Sequence, residues 1–77
     1  MTHLDKRITQ EVKNCMESMT KNGLEISLNN LLICEVDYCN WTYFDELSHR
    51  ITRKYQNEQL TDEEVMYTLN YFKKAIK

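Results

Sequence analysis

LEISLNNLLICEVDY, residues 24–38, decides the fold, because it reads two ways. As a hairpin, Leu24 to Leu28 and Leu31 to Val36 flank a two-residue Asn29-Asn30 turn, pairing Leu28 with Leu31 and Ile26 with Ile33. As a helix, Ser27 caps a segment from Leu28 to Cys39, and Ile26 is an extended residue plugging the core just ahead of it. The helical version gathers Leu28, Leu31, Leu32, Val36 and Cys39 into a broad apolar surface. A lone two-stranded hairpin is marginal in water, and the sequence offers no third strand. The helix is therefore preferred. With it the chain becomes all-α: one domain, residues 1–77, in a compact bundle of about four short helices, the β-hairpin at 24–36 being the minor alternative.

Composition points the same way. One glycine and no proline leave almost none of the turn residues that sandwiches, barrels and hairpins require. Apolar residues at 42% and charged residues at 29% suit a folded domain rather than a disordered one. A chain this short buries only ~60–65% of its unfolded surface, so modest stability and self-association are expected.

Upstream, Leu4 to Asn22 reads as the first helix. Leu4, Ile8, Val12, Cys15, Met16 and Met19 share one face, and Gly23 follows as the left-handed terminator. Downstream, WTYFDELSHRITRKY, residues 41–55, reads as a helix capped by Asn40 or Thr42. At roughly 100° per residue, Trp41, Phe44, Leu47, Ile51 and Tyr55 form an apolar keel. His49, Arg50, Arg53 and Lys54 form a basic back, with Glu46 among them. Thr61-Asp62-Glu63-Glu64 is a capping box that starts a last helix running to Ile76. Its expected core stripe is Val65, Met66, Leu69, Phe72 and Ile76, leaving a second row of Tyr67, Tyr71 and Ala75.

A net charge of −2 weakens the case for nucleic acid, whose phosphates are usually met by basic domains, and for an anionic membrane surface. The longest apolar run, Leu31 to Cys34, is too short to span a bilayer, and the first ten residues carry no secretion signal. Three cysteines, an odd number, suggest reduced thiols and a cytoplasmic location. Cys34 and Cys39 sit at the limit of zinc spacing without a knuckle between them; both are expected as small buried residues, with no metal and no cofactor. Ser48 and His49 are neighbours on one helix and diverge, so Asp45 and His49 read as an i,i+4 surface pair rather than part of a triad.

Two surfaces remain for function. The basic stripe of Arg50, Arg53 and Lys54 follows a short helix, in the order of a helix-turn-helix, but its leading exposed residues are Thr42, Asp45 and Glu46, and two carboxylates there repel phosphate. The Tyr67/Tyr71 row carries apolar area with polar tips, as protein interfaces do. Glu35 falls within the apolar arc of the second helix and needs a partner there, an edge salt bridge or another subunit. The expectation is a non-enzymatic protein-interaction module, a small regulator or inhibitor that docks on another protein and forms a homodimer. Its contact residues would be Tyr67, Tyr71, Glu35, Arg50, Arg53 and Lys54. A helix-turn-helix transcriptional regulator is the alternative.

Overall fold

The computed structural model describes residues 3–37, 39–52 and 59–76. Among these residues four helices follow in chain order: α1, His3–Lys21; α2, Leu28–Ile33; α3, Tyr43–Thr52; and α4, Asp62–Ala75. The all-α reading holds. The Cα radius of gyration is 11.8 Å, against about 11–12 Å for a folded domain of this length.

α1 packs against α3 and α4, while α2 packs against α3. Ile8, Val12, Cys15 and Met19 recur at helical spacing, and each is buried. The helix stops at Gly23, whose φ of +76° is open to glycine at no steric cost. There Leu24 N–H donates to Met19 C=O at 2.9 Å and Gly23 N–H to Thr20 C=O at 3.0 Å. That pair of bonds is a Schellman closure, and it turns Leu24 back against the core.

α2 is helical, as preferred, and Ser27 caps it: its Oγ accepts from Asn30 N–H at 3.1 Å. It ends at Ile33, however, not at Cys39. The following residues form a bridged turn instead. Tyr43 N–H donates to Cys34 C=O at 3.3 Å and Val36 N–H to Trp41 C=O at 3.1 Å, pairing Glu35 with Thr42 in an antiparallel bridge. Cys39 N–H donates to Val36 C=O at 2.7 Å, and Asp37 takes a positive φ of 39°. β-Branched Ile33 and Val36 weaken helix continuation, and aspartate tolerates the left-handed region better than most residues. A short paired turn therefore exists, about ten residues after the place where the hairpin alternative put one.

α3 begins at Tyr43 with Thr42 as its cap. Asp45 N–H donates to Thr42 Oγ1 at 3.2 Å, and Thr42 N–H to Asp45 Oδ2 at 3.0 Å. Trp41 thus lies before the helix, not in it. Tyr43, Leu47 and Ile51 are buried at i, i+4, i+8, with Phe44 half-buried beside them. Tyr55, Arg53 and Lys54 lie outside the described residues. α1 and α3 run antiparallel. Asn22 Nδ2, past the end of α1, donates to the Tyr43 hydroxyl at 2.6 Å, while Arg7, near its start, reaches Arg50 C=O through Nε at 3.2 Å and a terminal nitrogen at 2.9 Å.

α4 carries the expected capping box in full: Glu64 N–H donates to Thr61 Oγ1 at 3.2 Å and Thr61 N–H to Glu64 Oε1 at 2.8 Å. Its rotational setting differs from the expected one. Thr68 and Phe72 are fully buried, while Met66, assigned to the core stripe, is 58% exposed. The helix is turned so that Thr68 faces inward, and its hydroxyl is satisfied locally by donating to Glu64 C=O at 2.7 Å. The same turn carries Tyr71 against the core rather than away from it.

Candidate functional site

Two helical faces with the same spacing look at each other across a cleft. α1 contributes Glu11, Asn14, Cys15 and Ser18, at i, i+3, i+4 and i+7; α3 contributes Tyr43, Glu46, Leu47 and Arg50, at the same intervals. The turn at Val36, Asp37 and Cys39 closes one end, and Glu17 joins the rim. The cleft has a volume of about 410 Å³. That is within the range of roughly 300–1,000 Å³ in which ligand sites fall.

The buried part of the lining is largely apolar, made by Cys15, Leu47 and Tyr43 with half-buried Val36 beside them. Cys15 is buried, and its thiol is pushed up to about 11, first by desolvation. The Glu11 and Glu46 carboxylates add to the rise, and Arg50 opposes it. Such a thiol stays protonated at neutral pH and is a poor nucleophile. The charged groups acting on it already have partners. Arg50 Nε donates to Glu46 Oε1 at 3.0 Å. Glu11, buried though charged, accepts from Asn14 Nδ2 at 3.3 Å and lies 3.6 Å from an Arg7 terminal nitrogen.

A second hollow continues from the first around the turn. It is lined by Asn22, Leu24, Cys34 and Glu35, and it shares Asp37 and Tyr43 with the cleft. Glu35 is exposed here, opposite Thr42 in the bridge, and forms no salt bridge with any described side chain. Its expected place within an apolar helical arc does not exist, because α2 has already ended.

The other singled-out residues disperse. Tyr67 sits on the outside of α4, 36% exposed, next to a shallow hollow with Ile8, Glu63 and Glu64. Tyr71 is half-buried. The two tyrosines therefore do not form one free strip. Among the described residues, the large apolar side chains most open to water are Ile33 at 65%, Met66 at 58% and Leu32 at 46%, on two different helices. Asp45 does not pair with His49: its carboxylate holds the Thr42 N–H, and the His49 ring rests on Trp41 with centroids 5.1 Å apart. Cys34 is half-buried and Cys39 exposed, so of the three thiols only Cys15 is the small core residue expected. Among the described residues no group of three or more His, Cys, Asp or Glu side chains could hold a metal ion. No described helix is long and apolar enough to cross a membrane.

Of the residues singled out from the sequence as contacts, Arg50 lines the cleft and Glu35 the neighbouring hollow, but the cleft itself was missed. The matched spacings 11/14/15/18 and 43/46/47/50 were its visible signal; the turn that closes it was not visible while residues 34–39 read as helix. No protein-family model matches the chain, and no curated protein or solved structure matches it either.

Proposed function

We propose that the protein is a non-enzymatic docking module, a small regulator or inhibitor that acts by seating a segment of another protein in the cleft between α1 and α3. The observation that supports this is the division of the cleft into an apolar floor and a charged rim whose deeper members already bond to one another. Small-molecule sites aim a few free polar groups at one point. Here the free groups stand around the mouth, which suits a chain lying across it. The test is a steric block. Ser18 is half-buried in the cleft wall; Ser18→Tyr fills the space and is expected to release the partner that wild type captures under chemical cross-linking, with the helical circular dichroism unchanged. Retention of that partner by the variant overturns the reading.

Self-association is a second reading, favoured by the exposed Met66 and Tyr67 edge of α4. Sedimentation velocity of wild type and Met66→Lys tests it, a dimer converted to monomer being the expected result. No observation of this kind favours a helix-turn-helix. Nine residues, 34–42, separate α2 from α3, where that motif uses a turn of about three or four, and Arg50 is held by Glu46.

A further inference from the structure

The segment that fits this cleft has a definite chemistry. Resting on the docking reading above, we infer that the occupant is a basic segment of a partner protein, with lysine or arginine side chains set beside aliphatic ones. The charge of the lining carries the argument. The cleft presents Glu11, Glu17, Asp37 and Glu46 against the single guanidinium of Arg50. Its lining therefore carries −3, more than the −2 of the whole chain, so everything outside it sums to +1. The acidity belongs to this place and not to the surface in general.

Within the cleft the carboxylates divide. Glu46 is neutralised by Arg50 and Glu11 is approached by Arg7. Glu17 and Asp37 are exposed and form no ion pair with a described side chain. They stand at the rim, where an incoming cation keeps part of its water and meets their field. Glu35 extends the same edge around Asp37 and Tyr43 into the second hollow. A track with carboxylates along its lip and Val36, Leu47 and Leu24 along its bed is longer than one ligand group. It fits a polypeptide whose aliphatic side chains take the bed while its cations take the lip. Opposite charge at the rim selects the partner and its register more than it adds affinity.

The experiment is selection of a phage-displayed random dodecapeptide library on the folded full-length protein, repeated on two variants. Glu17→Lys with Asp37→Asn alters the rim charge, asparagine keeping the left-handed backbone at 37. Ser18→Tyr fills the bed; Asn14→Tyr replaces it if Ser18→Tyr loses the wild-type circular dichroism. The expected result is enrichment of peptides combining Lys or Arg with Leu, Ile or Val, whose binding falls roughly tenfold or more on the charge variant and is lost on the filled one. Enrichment of neutral or acidic peptides that the filled variant rejects but the charge variant accepts overturns the inference and leaves the docking reading standing. Peptides indifferent to the filled variant, or no enrichment at all, overturn both.

Discussion

α3 and α4 start with the same device and end up held in different ways. Each opens on a threonine and a carboxylate three residues later that bond reciprocally, Thr42 with Asp45 and Thr61 with Glu64. Yet α3 seats three large side chains, Tyr43, Leu47 and Ile51, fully in the core, whereas α4 seats one, Phe72, beside the small Thr68. Leu69 and Ile76 are only half-buried and Met66 faces water. A good local start signal therefore fixes where a helix begins, and says little about which of its faces the core accepts. The buried face of α4 carries the small Thr68, which satisfies its own hydroxyl locally, while the larger Met66 is turned to water.

If α4 hangs on one ring, Phe72→Ala should be the most damaging change in it, about 3–5 kcal/mol. Leu47→Ala in α3 should cost less, about 2–4 kcal/mol, because Tyr43 and Ile51 still anchor that helix. Urea denaturation compares the two, and a Leu69→Ala loss as large as that of Phe72→Ala would show that α4 is held along its length.

Cys15 sharpens the α3 side, since Arg50 and Glu46 of α3 surround it. Its thiol ionises at about 11 in the folded protein and near 9 when exposed. The unfolded chain therefore loses this proton first. Stability from this group is complete below about pH 9 and is lost as pH rises toward 11, on the order of 2 kcal/mol. Cys15→Ala should flatten that part of the stability curve, measured as the difference between the two proteins. An unchanged slope would place the thiol in contact with solvent.

The two caps should be nearly equal. Thr42→Ala and Thr61→Ala are each expected to lower stability by about 1 kcal/mol. A loss confined to one of them would mean that the Asp45 version and the Glu64 version of the motif are not equivalent. Met66→Lys should change the stability of the monomer by less than about 0.5 kcal/mol, because in the single chain its side chain is already in water.

The parts that could be read from residue order alone were those set within one turn of chain. Gly23, Ser27 and the Thr61 box each mark a helix end through bonds spanning three to five residues, and each sits where expected. What escaped was set by distant partners. α2 stops early because Trp41 and Tyr43 return to pair with Val36 and Cys34, and nothing in residues 28–39 announces that return. Met66, expected in the core stripe, faces water while Thr68 is buried, because packing against the rest of the fold and not the local pattern sets the rotation of α4. Tyr43 was legible in its i, i+4, i+8 spacing with Leu47 and Ile51, but its neighbour Trp41 drew the arc off centre. Of the expected contact residues, Arg50 lines the cleft and Glu35 the hollow beside it, while the concavity itself arises from the antiparallel apposition of two faces 32 residues apart in sequence, 11/14/15/18 against 43/46/47/50.

The two nitrogens of Arg7 that grip the Arg50 carbonyl have a consequence for how the molecule opens. The Arg50 oxygen, in the last described turn of α3, is thereby tied to a side chain 43 positions earlier. Fraying at the tail of α3 cannot then proceed independently of the head of α1. Amide protons in both stretches should trade with solvent in concert, as a single opening event, and clipping the chain ahead of residue 8 should quicken that exchange at the far end of the pair.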